Sequence, residues 1–77
     1  MYYNLKIGKT RYASKTLADC IDVIAIRYME IASTCITPAA WILAEIAGLS
    51  GDVSRLAYYD KNGKVFISIN RKGEKQC

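Results

Sequence analysis

The chain has 77 residues, which is enough for one domain and too few for two, and its formal net charge of +4 makes that domain basic. It has no histidine, and its three cysteines form no C-x-x-C pair, so the composition excludes the usual zinc sites. Because small domains have much surface per residue, the high hydrophobic fraction of 52% leaves apolar area outside the core and favours a homodimer or a tight protein partner.

The first predicted element is a strand from Tyr2 to Ile7, in which apolar and polar side chains alternate along the chain. Gly8 ends this strand. The residues 9–13 that follow indicate a polar connector to the first helix, one that can carry some extended structure.

The longest predicted element is a helix that Ser14 caps and that runs to about Ala32. Its apolar residues recur at three- and four-residue spacing, which places them along one face. They are Leu17, Cys20, Ile21, Ile24, Tyr28 and Ile31. We expect this face to pack across a sheet.

A second, shorter helix is predicted between Thr37 as its N-cap and Gly48 as the residue that ends it. Pro38 takes the first helical position, where a missing N–H costs nothing. Glu45 is its only charged residue, and its large apolar side chains point in several directions, so they need cover on all sides. At about a dozen residues the helix cannot cross a bilayer, so we expect protein to cover it, in part at a partner interface. That interface is assigned to Trp41, Ile42, Leu43 and Ile46, with Trp41 near its centre.

The C-terminal part predicts a β-hairpin, because Asn62-Gly63 lies between two β-rich runs, Val53–Tyr59 and Lys64–Asn70. A two-residue loop pairs Tyr58 with Ile67 and Leu56 with Ile69. A three-residue loop with a glycine bulge shifts this register by one residue. We favour the two-residue loop because it keeps Arg55 out of the core.

The element order is therefore β-α-α-β-β, and the fold class is α+β. We expect a three-stranded antiparallel or mixed sheet with the long helix packed on one face and the short apolar helix beside it. Residues 1–70 form the single domain, and 71–77 form a polar, flexible tail.

No motif in the chain supports catalysis. Gly8-Lys9-Thr10 is similar to the end of a phosphate-binding loop, but the glycine that such a loop needs five residues earlier is Tyr3. We therefore expect no enzyme, no catalytic residues, no cofactor, no metal ligands and no small-molecule substrate. The start of the chain lacks the apolar stretch of a signal peptide, so we expect a cytoplasmic protein without a membrane partner.

Charge is divided along the chain. Residues 1–15 carry four basic residues and no acid, 16–52 carry five acids and one basic residue, and 53–77 carry six basic residues and two acids. If the two ends meet, one face is positive and can bind single-stranded nucleic acid or RNA, with aromatic rings stacking on bases. The residues assigned to this basic-aromatic face are Tyr2, Lys6, Arg55, Tyr59, Lys64 and Phe66.

A different alternative rests on the run Leu43–Ser50, which resembles the first helix and turn of a helix-turn-helix motif. Val53-Ser54-Arg55 then resembles the start of a recognition helix. This resemblance implies a small DNA-binding regulator. It departs from the motif at Ser54, where the apolar anchor is expected, and the residues that follow favour a strand.

The leading hypothesis is a small non-enzymatic binding protein that acts by protein–protein contact. Inhibitors encoded by phages or mobile elements, including those directed at nucleic-acid-handling host defence complexes, share this general character. The two nucleic-acid hypotheses are the alternatives.

Overall fold

A computed structural model describes residues 2–49 and 55–71 of the chain. Its described parts form an α+β fold of four strands and three helices, which confirms the predicted class. The elements are β1 (Tyr3–Ile7), β2 (Thr10–Lys15), α1 (Leu17–Ile26), α2 (Tyr28–Thr34), α3 (Ala39–Ala47), β3 (Arg55–Tyr59) and β4 (Val65–Arg71).

The strands form one antiparallel sheet in the order β2-β1-β4-β3. The predicted three-stranded sheet is therefore wrong by one strand, because the segment assigned to a connector is β2. A two-residue turn joins β1 to β2, with Ile7 opposite Thr10, and Gly8 has the positive φ of 59° that such a turn requires at its first position. Tyr12 is the only large apolar residue of β2, so this edge strand lacks the alternation that marked β1.

The single long helix is also corrected, because it is two helices. Lys15 still belongs to β2, so the N-cap of α1 is Thr16, whose hydroxyl accepts the Asp19 N–H at 3.2 Å, and not Ser14. The chain leaves helical geometry at Arg27, which has φ −98° and ψ 21°. There the Arg27 guanidinium donates to the Ile7 carbonyl at 3.4 Å and to Glu30 at 2.7 Å, which ties the junction to the end of β1.

Helix α3 begins one residue later than predicted. Pro38 is its N-cap, with an extended ψ of 139° and no capping side-chain hydrogen bond, so the prediction of Thr37 as N-cap is wrong. Gly48 ends the helix as predicted, and its N–H donates to the carbonyls of Ala44 and Glu45 at 3.1 and 3.2 Å.

The hairpin of β3 and β4 has the predicted pairs but not the predicted loop. Leu56 lies opposite Ile69, and Tyr58 lies opposite Ile67. The loop nevertheless holds three residues, 61–63, because the Asp60 N–H donates to the Lys64 carbonyl at 2.8 Å and Gly63 has φ 83°. Tyr59 then pairs with Val65, and the extra residue Phe66 restores the register beyond it. The longer loop shifts the register by one residue and the bulge at Phe66 shifts it back, so the pairs beyond the bulge match the prediction.

The core lies between one sheet face and the three helices. In β1 the buried side chains alternate with exposed ones, as expected for a sheet covered on one side. The buried hydrophobic residues are Tyr3, Leu5, Ile7, Cys20, Ile24, Ile31, Cys35, Ala39, Ile42, Ile46, Tyr58, Ile67 and Ile69.

Two sequence predictions fall partly outside the described residues. Strand β3 is described from Arg55, so the predicted start at Val53 is not covered. Strand β4 continues through Arg71, the first residue of the predicted tail, and 72–77 lie outside the described ranges. Within 2–49 and 55–71, no helix has the length and apolarity needed to cross a bilayer.

Candidate functional site

The sheet surface opposite the helices is called the outer face here. Side chains alternate along each strand, so residues between the buried core positions point to this face. On the two central strands these are Asn4 and Lys6 of β1, and Ser68 and Asn70 of β4. The outer face is therefore polar at its centre.

A pair of like charges crosses the β1–β2 ladder on this face. Lys6 and Arg11 are direct cross-strand partners, and both are exposed. Directly opposed side chains have Cβ atoms about 5 Å apart, a separation at which like charges destabilise the pair. None of the four described strands contains an Asp or Glu that could neutralise them. The pair is thus suited to an anion supplied from outside.

Next to this pair lies an open depression of about 430 Å³. It spans β2, β1 and β4, and its lining carries ammonium, guanidinium, hydroxyl and amide groups. The lining residues are Asn4, Leu5, Lys6, Arg11, Tyr12, Ala13, Ser68 and Asn70. The depression therefore combines positive charge with neutral donors and acceptors.

Charge separates between the two layers of the fold. The helices α1–α3 contain four acidic residues, Asp19, Asp22, Glu30 and Glu45, and no Lys or Arg. The strands contain basic residues and no acid; these are Lys6, Arg11, Lys15, Arg55 and Arg71. The basic ends meet because β1 pairs with β4. A positive sheet layer therefore lies against a negative helical layer.

The structure places three of the six residues predicted for the basic-aromatic face on the outer face of the sheet. Lys6, Arg55 and Tyr59 occupy outer positions of β1 and β3, and all three are exposed. Tyr2 is exposed just before β1, and Lys64 is exposed beside the hairpin loop.

Phe66 has a structural role within this set. It lies opposite Gly8, whose N–H donates to the Phe66 carbonyl at 2.7 Å, and its ring is half-buried. A Cβ atom on Gly8 would lie 3.4 Å from that ring. Phe66 therefore covers the glycine of the β1–β2 turn, and only part of its ring is open to a ligand.

Sequence reasoning missed Arg11, Asn4, Ser68 and Asn70 as members of the site. Arg11 was missed because β2 was not recognised as a strand, so nothing placed it beside Lys6. The signal that could have found it is Gly8-Lys9, a two-residue turn after an alternating strand.

The fold buries part of the predicted partner interface on α3 and leaves part of it exposed. Ile42 and Ile46 are fully buried in the core, Leu43 is half-buried, and Trp41 is 62% exposed. Of the four residues, Trp41 therefore offers the most surface to a partner.

Burial changes the acidity of two thiols and of the Tyr58 phenol. Cys20 and Cys35 are free, and burial raises the pKa of each thiol, which keeps both protonated and poorly reactive. Burial, followed by the hydrogen bond to Glu45, also raises the pKa of Tyr58. Within the described residues no three His, Cys, Asp or Glu side chains are grouped as a metal site.

Comparison of the chain with protein-family models, with curated proteins and with solved structures finds no match.

Proposed function

We propose that this protein is a non-enzymatic binding module that takes up single-stranded nucleic acid on the outer face of its sheet. The observation that carries the proposal is the exposed Lys6–Arg11 pair on a sheet whose four described strands contain no acidic residue. Phosphate contacts supply most of the affinity in such complexes, and they need cations placed where no carboxylate competes.

The neutral groups of the outer face favour nucleic acid over an acidic protein. Asn70 and Ser68 offer hydrogen-bond donors and acceptors beside the cations, as base edges require. Tyr59 is 48% exposed and can stack on a base. An acidic protein surface can bind the cations, but it has no bases on which the Tyr59 ring can stack.

The shape of the site favours a single strand over a duplex. A broad sheet lets an extended strand lie across it with its bases toward the protein. Duplex DNA is read by an element that enters a groove, usually a helix. The helix-turn-helix alternative placed that helix from residue 53 onward, but Arg55–Tyr59 is strand β3, so this stretch offers no recognition helix.

The proposal is tested by fluorescence anisotropy with a labelled single strand of roughly 12 nucleotides, within the range of known single-strand site sizes. Arg11→Glu is the test variant, and Lys61→Glu on the exposed hairpin loop is its control, because both change the net charge equally. We expect Arg11→Glu to weaken binding at least about tenfold and Lys61→Glu to change it by less than about threefold. Equal losses in the two variants, or no binding by the wild type at low salt, would contradict the proposal.

A second candidate function is protein binding through Trp41, the leading hypothesis from the sequence. It is favoured by the 62% exposure of this large indole on a helix whose Ile42 and Ile46 are buried in the core. Loss of a protein partner or of self-association in Trp41→Glu, with nucleic-acid binding unchanged, would support it.

A further inference from the structure

We infer that the depression between β2, β1 and β4 holds one nucleotide of the bound strand, with Arg11 and Lys6 on its phosphate and Ser68 and Asn70 on its base. This inference rests on the proposed function. It adds that the protein prefers particular bases at one position of the strand.

The size and position of the depression fit one nucleotide. Its volume of about 430 Å³ lies within the range of roughly 300–1,000 Å³ found for sites that take small ligands. It is open on the outer face, so the backbone of a strand can enter and leave it.

The phosphate position follows from the cation pair. Arg11 and Lys6 face each other across the ladder, and a phosphate placed between them turns a repulsive pair into two charge-assisted contacts. The guanidinium of Arg11 can donate two parallel hydrogen bonds to one phosphate, which fixes its orientation as well as its charge.

The base position follows from β4. Ser68 lies opposite Lys6, and Asn70 lies two residues further along the same face. A phosphate held between Arg11 on β2 and Lys6 on β1 therefore leaves the base of the same nucleotide over the next strand, β4. The Asn70 amide presents a donor beside an acceptor, an arrangement that pairs with some base edges and leaves a polar group unmatched on others.

The experiment compares oligo(A), oligo(C) and oligo(U) of equal length in wild type, Asn70→Ala and Asn62→Ala. Asn62 lies in the exposed hairpin loop and serves as the matched control. In the wild type we expect at least about a fivefold spread in affinity among the three strands, the discrimination that one well-matched contact provides. Asn70→Ala should reduce this spread to within about twofold, while Asn62→Ala should leave it unchanged. A thermal unfolding curve for each variant is the control that checks whether it is folded.

The outcomes separate this inference from the proposed function. If the wild type binds all three strands equally, or if Asn70→Ala keeps the spread, the inference is overturned while strand binding stands. If a free nucleoside monophosphate binds as tightly as a strand, the depression is a site for small nucleotides, and the inference is again overturned. If no strand binds at low salt, the proposed function itself has failed.

Discussion

The hydroxyl of Tyr58 donates a 2.8 Å hydrogen bond to Oε1 of Glu45, which joins strand β3 to helix α3. Tyr58 is buried, and its partner is the only charged residue of α3. Glu45 itself is exposed, so this contact gives the hydroxyl of the buried Tyr58 an acceptor at the surface of α3. It also gives two measurable consequences.

Removing this hydrogen bond should destabilise the fold. We expect Tyr58→Phe to lower the free energy of unfolding by about 1–2 kcal/mol, because a hydrogen bond to a charged acceptor is lost at a part-buried site. Tyr59→Phe is the control, since that side chain is exposed, and it should cost less than about 0.5 kcal/mol. Urea denaturation measures both, and equal losses would show that the Tyr58 contact contributes nothing specific.

The same residue should make stability depend on alkaline pH. Burial and the Glu45 hydrogen bond raise the pKa of Tyr58 in the folded protein above its ordinary value of about 10. The unfolded chain therefore releases this proton first, so the contribution is intact below about pH 10 and is lost as the pH rises further. Above that pH the free energy of unfolding should fall more steeply in wild type than in Tyr58→Phe, by up to about 1.4 kcal/mol per pH unit. Parallel pH profiles would contradict this assignment.

The β3–β4 loop should require a glycine. Gly63 has φ 83° and no neighbour within 4 Å of a Cβ, so only the backbone opposes a side chain there. We expect Gly63→Val to cost about 1–2 kcal/mol and Gly63→Asn clearly less, because asparagine tolerates the left-handed region. Gly48→Ala, at φ −92°, is the control and should be nearly neutral. A neutral Gly63→Val would mean that the loop has another conformation.

Binding to a single strand should be strongly salt-dependent. Each phosphate contact contributes a slope of about 0.7 in a plot of log affinity against log salt for single strands. Arg11→Ala and Lys6→Ala should each reduce the slope of the wild type by about that amount, whereas Lys61→Ala should not. The measurement is a titration from about 50 to 200 mM salt. Unchanged slopes in both variants would remove these residues from the phosphate contacts.

Trp41 should matter for association more than for folding. Because its side chain is 62% exposed, Trp41→Glu should change the free energy of unfolding by less than about 0.5 kcal/mol. If the indole lies at a self-association interface, the same substitution should convert a dimer to a monomer in sedimentation experiments. A wild type that sediments as a monomer at high micromolar concentration would remove the homodimer from consideration and leave only a different partner.

The sequence was most informative where apolar residues repeat with a clear period. The strand predicted from Tyr2 to Ile7 begins only one residue later, at Tyr3, because alternation is a local signal. The pairs of Tyr58 and Leu56 are also as predicted, but for a different reason: the extra residue Phe66 offsets a loop that is one residue longer than predicted. The break at Arg27 was not predictable, since its contact to Ile7 joins residues that are 20 apart in the chain. The candidate site was only partly predictable for a similar reason. Lys6 was assigned to it from the sequence, but Arg11 was not, because β2 is a polar edge strand with almost no alternation to mark it.

The strand order also governs when this domain can fold during synthesis. The central ladder pairs Tyr3 with Arg71, so the sheet cannot close until β4 has left the ribosome. Until then the apolar positions of β1 have only the β1–β2 hairpin and the helices to cover them, and the edge of β1 that will face β4 stays open. A chain whose synthesis stops before residue 65 would therefore lack β4, the strand that pairs the two hairpins with each other. We expect such fragments to be degraded by proteases or to aggregate.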